Sequence, residues 1–461
     1  MKNFAKFIVA GSLCLSMLSS CHIYKKFEMP SDDPATSEYA RVAAEAPDSS
    51  AYGNLQWQQV FTDPLLQDYI SRALANNVNL ENARLNIDIA RANLLGAKLS
   101  YLPSLAFNPN GAGAKYNLPG ASMSWTYTLP LAASWEIDVF GKILNNKRAA
   151  EVNVELQGDY AQAVRSQIIG GVASCYYSIA TIESQLALSK QTSEIWAQSV
   201  QTMRDFKEAG RVTEAAVVQS EAQYYSILAS ISDLETALRQ ANNSMSLLLN
   251  EQPQTYSVPA DARLEVPAIL RDGIALREIA QRPDVRVAEK NLAAAYYNTN
   301  LARAAFYPGL TISAQGGFTN LLGSFIKNPG DWFIQLAGQL TAPLFARGQN
   351  IARLKGAKVQ QEQSLNNFKY TLLNAAAEID NALVSLANNT TKAEMLAKQE
   401  ESLQKAVEYT NLLMAPAQNT TYLEVLTAQS SLLQAQMGRL YTELNRQTDL
   451  ITLYQALGGG R

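Results

Sequence analysis

The chain has 461 residues, with 38 Lys and Arg against 41 Asp and Glu, and a formal charge of -3 at pH 7. This balance argues against a protein that binds nucleic acid through a basic surface. The single His, His22, excludes His-based catalysis and a multi-His metal site, and we expect neither an enzyme nor a metal or other resident cofactor.

The N-terminus has the pattern of a bacterial signal peptide. Two Lys residues precede an apolar run, residues 7–18, that is too short to span a bilayer. The run ends in Leu-Ser-Ser-Cys, which resembles the lipobox that places a thioether-linked lipid on the Cys. We therefore expect residues 1–20 to be removed and Cys21 to carry a covalent lipid that anchors the chain to a membrane. The alternative is an ordinary secretory signal with an incidental Cys.

Processing leaves one unmodified thiol in the mature chain. Cys14 leaves with the signal and Cys21 is acylated, so Cys175 has no partner within the chain. Because Cys175 falls in a helical apolar stripe, we expect it to be a small core residue rather than a reactive one. No run of about 18 or more apolar residues follows Cys21, so no transmembrane helix is expected.

A strand pattern occupies residues 122–141, SMSWTYTLPLAASWEIDVFG. Apolar residues on one parity alternate with mostly small or polar ones, as in a soluble half-buried sheet or in the wall of a membrane barrel. The residues of the apolar parity are Met123, Trp125, Tyr127, Leu129, Leu131, Ala133, Trp135, Ile137 and Val139.

The chain contains an internal repeat. A shift of 205 residues superposes residues 76–105 on residues 281–310 and superposes the strand pattern on WFIQLAGQLTAPLF. Because 205 is odd, the apolar parity must change from odd to even, and it does. The even-numbered apolar residues are Trp332, Ile334, Leu336, Leu340 and Leu344.

Each repeat is therefore predicted to contain a helix, a strand pair and a helical hairpin. The predicted strand pairs lie at about 102–140 and about 307–345. The predicted organisation of the chain is a signal peptide (1–20), a lipidated N-terminal segment (21–64), a first repeat (65–249), a Pro-containing linker in an equatorial region (250–272) and a second repeat with the C-terminal segment (273–461).

Coiled-coil spacing marks the long helices that follow each strand pair. In the first repeat the apolar residues recur at intervals of three and four from Val164 to Leu186, and the second repeat has the same pattern from Phe368 to Leu386. The stretch from Lys142 to Lys207 would be on the order of 100 Å long as one helix. The predicted hairpin tips are at about 208–214 and about 415–421.

Four strands per chain are too few to close a membrane barrel, whose smallest forms have about eight. Either the helices fold back over the sheet in a soluble protein, or copies of the chain pool their strands into one barrel. The lipid anchor, the long helices and the aromatic residues favour the pooled barrel and leave the number of copies open. The residues where an aromatic girdle would lie are Trp125, Tyr127, Trp135 and Trp332.

Several motifs in order resemble the outer-membrane factor family of TolC-like efflux ducts, and in particular its OprM/NodT-type lipoprotein branch. Besides the lipobox and the repeat, the motifs are SWEIDVFG (134–141), RPDVRVAEKNL (282–292), TAPLFARGQ (341–349), TYLEVLTAQSSLLQAQ (421–436) and LYQALGGG (453–460).

The resemblance implies a mixed α and β membrane protein that forms a homotrimer. Its 12-stranded outer-membrane β-barrel, with four strands from each chain, would continue into a long periplasmic α-helical barrel. Such ducts have no pump of their own. The implied partners are a periplasmic adaptor protein, an inner-membrane transporter that is commonly proton-driven, and the lipid of the outer membrane.

The resemblance also suggests where the duct closes and docks. In the family a Leu ring lies above an Asp and, three residues later, an Arg; here Leu423 matches the Leu, but Thr427 and Ser430 replace the charged pair. The closed state is therefore either weaker or secured by other residues. The implied adaptor-docking residues at the hairpin tips are Gly210, Arg211, Val212, Thr213, Asn419, Thr420 and Thr421.

The main alternative to an efflux duct is a lipid-anchored structural coiled coil or adhesin without a pore. It would explain the lipobox and the helical seams, but it would leave the alternating strands without a role. Simple turn chemistry would likewise account for the hairpin tips, and a solvated helix face for Glu424.

Overall fold

The computed structural model describes residues 24–31, 33–43, 55–115, 117, 119–120, 122–265, 276–319, 331–413 and 422–460. Cys21 and the second hairpin tip lie outside these residues. The helices are α1 (Pro34–Ala43), α2 (Trp57–Val60), α3 (Pro64–Asn76), α4 (Val78–Leu99), α5 (Lys142–Glu208), α6 (Glu214–Leu249), α7 (Leu276–Ala280), α8 (Pro283–Ala304), α9 (Gln349–Leu413) and α10 (Tyr422–Ala456). The strands are β1 (Ser104–Phe107), β2 (Asn110–Ala114), β3 (Ser124–Ile137), β4 (Gly309–Thr319) and β5 (Asp331–Thr341).

The predicted two-repeat architecture is confirmed by the element bounds. Adding 205 to the bounds of α4 gives those of α8, and the same shift carries the end of α5 onto the end of α9. A shift of 208 carries the start of α6 onto the start of α10. Both repeats therefore contain the same order of helix, strand pair, long helix and returning helix.

The chain divides into two compact units, each built from segments of both repeats. Of the described residues, the sheet unit comprises those within 1–36, 85–158 and 287–369, and the helical unit comprises those within 37–84, 159–286 and 370–461. The compact units thus differ from the sequential repeats, because each repeat contributes its strands to one unit and most of its long helices to the other.

An antiparallel sheet forms the first unit. The order across the sheet is β1 and β2 beside β3, then β4, then β5. The two hairpins are β2–β3 and β4–β5, and β3 pairs with β4 from the other repeat over ten residue pairs, from Thr128 with Thr319 to Ile137 with Leu310. The sheet therefore joins the two repeats directly.

The first predicted strand is divided into β1 and β2 at Asn108 and Pro109. Asn108 N–H still donates to the carbonyl of Pro130 at 3.3 Å. The reverse bond is impossible because Pro130 has no N–H, and Pro109 also lacks this donor. The register against β3 is the same on both sides of the break, so the sheet has four strand paths, as predicted.

Aromatic residues and long helices fill the core of the helical unit. Phe61, Tyr176, Tyr177 and Tyr454 are almost fully buried. The predicted seam is buried at Ile168, Val172 and Ile179 of α5, while Cys175 is half-buried. In the part of α9 that belongs to this unit the seam is buried at Ala375, Ile379, Ala382 and Leu386, and its first residue, Phe368, is buried in the sheet unit.

The two longest helices are continuous, as predicted. Helix α5 has 67 residues and α9 has 65, so each is roughly 100 Å long at about 1.5 Å per residue. Within the part of the chain that the structure describes, no helix contains a stretch apolar and long enough to cross a membrane.

Candidate functional site

The sheet has two chemically different faces. On β3 the apolar parity, from Trp125 to Ile137, pairs across the sheet with apolar or Gly residues of β1, β2 and β4. Large apolar side chains of this face are exposed in the single chain, and Trp332 is 73% exposed. The other exposed members include Leu105, Phe107, Trp125, Leu131, Trp135, Ile312, Phe318, Ile334, Leu336 and Leu340.

The opposite face carries hydroxyl and amide groups. Gln315 donates through Nε2 to Oε1 of Gln335 at 2.5 Å, and the hydroxyls of Thr128 and Thr319 lie 3.5 Å apart. Other polar residues of this face are Ser104, Thr126, Ser134, Thr311, Ser313, Gln339 and Thr341. A sheet with one apolar and one polar face suits a wall between lipid and water.

The predicted girdle aromatics lie on the apolar face but not at one level. Trp125 pairs with Gly113, and Trp135 lies ten residues further along β3. Trp135 donates from Nε1 to the carbonyl of Tyr101, just beyond α4, at 2.9 Å. Trp332 is level with Leu129, between the two other Trp residues. The remaining member, Tyr127, is half-buried on the same face.

The DVFG residues of the first repeat build the junction between β3 and α5. Both carboxylate oxygens of Asp138 accept hydrogen bonds from the first turn of α5, from Ile143 N–H at 3.1 Å and from Leu144 N–H at 2.7 Å. A carboxylate at this position satisfies N–H groups that have no partner within the helix. Gly141 has φ +67, and a Cβ there would lie 3.0 Å from the Tyr24 ring.

The described residues that follow Cys21 contact three helices of the sheet unit, α5, α8 and α9. Arg148 donates from Nη1 to the carbonyl of Tyr24 at 3.0 Å, and Phe27 N–H donates to the hydroxyl of Tyr297 at 3.1 Å. Lys369 forms a 2.6 Å ion pair with Asp33. The chain is therefore fixed to the sheet unit within a few residues of Cys21.

The candidate gate residues share one face of α10 near its start. Thr427 is exposed and Ser430 is half-buried, while Leu423 lies in the first turn, where the structure describes the backbone only. The adjacent face of α10 is packed, because Val425 is 1% exposed and Leu426 is 5% exposed. The polar face is thus presented by a helix turn whose neighbouring side is buried.

The first hairpin tip is a well-formed helix end. Gly210 has φ +71, Arg211 N–H donates to the carbonyl of Phe206 at 2.8 Å, and Gly210 N–H donates to that of Lys207 at 2.9 Å. These two bonds define a Schellman motif, which favours Gly at this position. The Arg211 guanidinium lies 6.0 Å from the Phe206 ring centroid.

Helix α6 begins after this tip without a side-chain cap. Thr213 occupies the N-cap position of α6, but its side chain makes no capping hydrogen bond. An ion pair between Lys207 and Glu214 instead joins the ends of α5 and α6. Val212 lies in the turn between them.

Arg282 of the RPDVRV motif makes buried contacts that the sequence did not predict. Its guanidinium side chain is 6% exposed and pairs with Asp284 at 2.7 Å and Glu378 at 2.5 Å. It also donates to the carbonyl of Ala456 at 2.8 Å, at the C-terminal end of α10. A cation there stabilises the negative end of the helix dipole.

The C-terminal Gly residues have a similar structural role. The carbonyl of Gly460 accepts from Gln162 at 2.8 Å and from Arg165 at 2.9 Å, both on α5. Gly460 N–H donates to the Tyr454 hydroxyl at 2.8 Å, and its φ of +93 favours Gly. The positive charge of Arg282 and this run of Gly were visible in the sequence, but their partners are far away in the chain.

Cys175 fits the expected packing role. It is half-buried in α5, and desolvation raises the pKa of its thiol. A raised pKa keeps the group as the less reactive thiol at neutral pH. Among the described residues, no group of three or more His, Cys, Asp or Glu side chains is placed to hold a metal ion.

An amphipathic sheet in the same chain as two long helical hairpins defines a channel subunit of the outer membrane. The family model described as outer membrane efflux protein matches residues 69–251 and 276–459, and the chain belongs to that family. The predicted resemblance is thereby confirmed, and the chain is an outer membrane efflux protein rather than a poreless coiled coil.

Individual relatives agree over nearly the whole chain. The probable outer membrane lipoprotein SilC of Salmonella typhimurium is 30% identical over 424 residues, which cover 90% of each chain. The cation efflux system protein CusC of Escherichia coli K12 is 30% identical over 89% of this chain and 90% of its own. The toluene efflux pump outer membrane protein TtgC of Pseudomonas putida is 28% identical over 99% and 96%.

The fold agrees as well. A crystal structure of CusC superposes with a TM-score of 0.80 at 26% identity, covering 95% of this chain and 99% of that one. The predicted fold class, a sheet and long helices in two repeats of an outer membrane channel protein, is therefore confirmed.

Proposed function

We propose that three copies of this chain assemble into one duct through the outer membrane and the periplasm. Each copy contributes four strand paths to a barrel of twelve strands. The observation that carries this proposal is the open sheet. Within the described residues its outer strands pair on one side only, and its apolar face is exposed. Unpaired strand edges are not tolerated in lipid, so further copies must complete the sheet.

The spacing of two Trp residues along β3 agrees with the height expected for the apolar band of this barrel. The ten residues from Trp125 to Trp135 span about 33 Å along β3. At a strand tilt of about 40° this is about 25 Å along the membrane normal, which is the height of the apolar band of such barrels. We assign these two Trp residues to opposite interfaces, with Trp332 and Tyr127 facing lipid between them.

The duct is passive and works in a tripartite efflux system. A periplasmic adaptor docks at the hairpin tips, including Gly210, Arg211, Val212 and Thr213 at the first tip and residues 419–421 at the second. An inner-membrane transporter, proton-driven in the family, supplies the energy. The names of CusC and TtgC refer to different cargoes, cations and toluene, although both are relatives of this chain. The cargo is therefore determined by the attached transporter rather than by the duct. For this duct it includes small molecules such as drugs.

Lipid and gate complete the proposal. A covalent lipid on Cys21 retains each copy at the membrane, close to the point where Tyr24 and Phe27 are fixed to the sheet unit. At the periplasmic end Leu423, Thr427 and Ser430 of the three copies line the constriction, which opens when helices untwist. No resident cofactor takes part.

Single-channel recording in planar bilayers tests this function. We expect the purified protein to insert and to conduct, and we expect the double variant Thr427→Asp plus Ser430→Arg to open less often, because charge-assisted bonds would join neighbouring copies. The uncharged double variant Thr427→Asn plus Ser430→Gln is the matched control and should behave like wild type. A monomer that never inserts into lipid would disprove the duct.

A further inference from the structure

An apolar clamp lies directly behind the candidate gate. It consists of Trp196 on α5, Ile227 on α6 and Leu426 on α10, which are 2%, 3% and 5% exposed and pack together. Partly buried Tyr224, Ile231 and Leu433 extend it. The clamp is therefore a contact between the first helical hairpin and the returning helix of the second.

The clamp is next to the gate residues in the sequence of α10. Leu426 precedes Thr427 by one residue and Ser430 by four, and it belongs to the second turn of the helix. Any movement of Thr427 away from the axis of the duct must carry Leu426 with it. The packing of Leu426 thus controls the position of the gate face.

Polar contacts hold the far end of α10. Arg282 donates to the carbonyl of Ala456, Gln455 donates to that of Ser166 at 3.0 Å on α5, and Ser385 donates to Asp449 at 2.8 Å. From Leu426 to Ala456 is about 45 Å along the helix. The C-terminal end is thus fixed by hydrogen bonds and charge, and the clamp fixes the gate end.

The clamp involves no ionised group. Trp196 Nε1 is buried without a hydrogen-bond partner among the described residues, so the ring contributes apolar surface alone. Such a contact separates without breaking a salt bridge, and salt in the usual experimental range does not screen it. An ionic latch would behave differently, because exposed ion pairs weaken as salt increases.

We propose that the apolar clamp takes the place of the missing Asp and Arg pair and holds the gate end of α10 closed against α5 and α6 of the same chain. This inference rests on the proposed duct. Trp196, Ile227 and Leu426 are positioning residues for the gate, since they act on Thr427 and Ser430 through the helix and do not line the constriction themselves.

The test compares open probability in planar bilayers between wild type, Trp196→Ala and Leu426→Ala. We expect both variants to open at least about tenfold more often than wild type, because truncating a buried aromatic or Leu side chain removes most of its packing. Trp196→Phe keeps one aromatic ring but loses the second ring of the indole with its N–H, so its open probability should lie between those of wild type and Trp196→Ala. Leu247→Ala, at a residue of α6 that is 79% exposed and lies far along the helix from Ile227, is the control.

Two further measurements distinguish an effect on the gate from a folding defect. Assembly and thermal unfolding are measured on the same preparations, and the wild-type open probability is recorded at low and high salt. The clamp predicts little dependence on salt. If Trp196→Ala does not assemble, Leu426→Ala truncates the same contact from the gate helix with a smaller loss of volume.

The outcomes distinguish the clamp from the duct. If wild type conducts and Leu426→Ala opens no more often than Leu247→Ala, the clamp is wrong and the duct stands. A wild-type open probability that rises steeply with salt would also overturn the clamp in favour of an ionic latch. If no variant conducts and the protein does not insert, the proposed function itself fails.

Discussion

Arg282 joins three elements of the helical unit through one side chain. Its guanidinium contacts Asp284 at the start of α8, Glu378 on α9 and the last carbonyl of α10. Burial alone would lower the pKa of this group, but hydrogen bonds to Asp284 and Glu378 raise it. The side chain is therefore charged in the folded protein and fixes the end of α10 opposite the gate.

Replacing Arg282 should destabilise the helical unit. The variant Arg282→Met leaves the Ala456 carbonyl and two carboxylates without their cation, and we expect a loss of about 2–3 kcal/mol in the free energy of unfolding. Denaturant unfolding followed by helical circular dichroism measures it. The control is Arg84→Met, whose exposed pair with Glu81 should contribute less than about 1 kcal/mol. Equal losses in both variants would contradict the role of Arg282.

Glu251 makes a second contact of this kind, and its contribution to the free energy of unfolding depends on pH. Burial acts to raise the pKa of this carboxyl, but hydrogen bonds from Arg72 and Tyr256 prevail, and the pKa lies below its ordinary value of 4.5. A carboxyl with a depressed folded pKa stabilises the protein above its unfolded pKa. That contribution is lost as the pH falls through the folded pKa.

The variant Glu251→Gln should therefore be less stable than wild type at pH 7, by about 1–2 kcal/mol. The difference should shrink as the pH falls below about 4.5, where the carboxyl of the unfolded chain takes up a proton, and it should be lost once the pH falls through the lower pKa of the folded carboxyl. Urea unfolding at several pH values measures this difference, with the exposed Glu81→Gln as the control. A difference that stays constant down to pH 3 would show that charge is not the cause.

Residue roles could be predicted from the sequence only where they depend on neighbours in the chain. The positive φ of Gly210 follows from its position between two helical patterns, and Gly141 lies at a strand-to-helix turn. The partner of Arg282 on α10 is 174 residues away, and Trp196 meets a Leu 230 residues later. No local pattern contains such pairings, because they arise when separate helices pack.

At the scale of elements, the periodicity of apolar residues was sufficient to predict most of the sheet and the long helices. Alternation identified β3 and β5, and the spacing of three and four identified α5 and α9. The break between β1 and β2 depends on Pro130 in the partner strand as well as on Pro109, so the first strand could not be read correctly from its own residues. Register between β3 and β4 also needed the structure, since they belong to different repeats.

Close contact between β3 and β4 predicts an effect of one Gly in β4. A Cβ on Gly317 would lie 2.0 Å from the backbone oxygen of Leu129, which cannot move without disturbing the strand pair. We expect Gly317→Ala to lower the free energy of unfolding by more than about 2 kcal/mol. Strand circular dichroism during urea unfolding is the measurement.

Gly338 on β5 is the matched control for this substitution. A Cβ there meets no described heavy atom within 4 Å, so Gly338→Ala should change stability by less than about 1 kcal/mol. If both variants unfold alike, the close approach of β3 and β4 is not a constraint on this sheet.

At the scale of the whole molecule, the proposed trimer explains features that a single chain leaves unsatisfied. The sheet exposes large apolar side chains on one face and has outer strands with one described neighbour each. The helical hairpins are far longer than such a small sheet needs for cover. Pooling strands and helices from three copies satisfies both features, whereas the sequence alone left the number of copies open.

The most direct test of this account is a cysteine cross-link between copies, made in a Cys175→Ser background. One Cys replaces Ala106 on β1, and a second is moved along the polar face of β5 through Phe333, Gln335, Ala337 and Gln339. The account predicts that at one or more positions oxidation yields a covalent trimer and no larger species. Cross-linked products that stop at dimers, or that extend beyond three chains, would contradict the closed trimeric barrel.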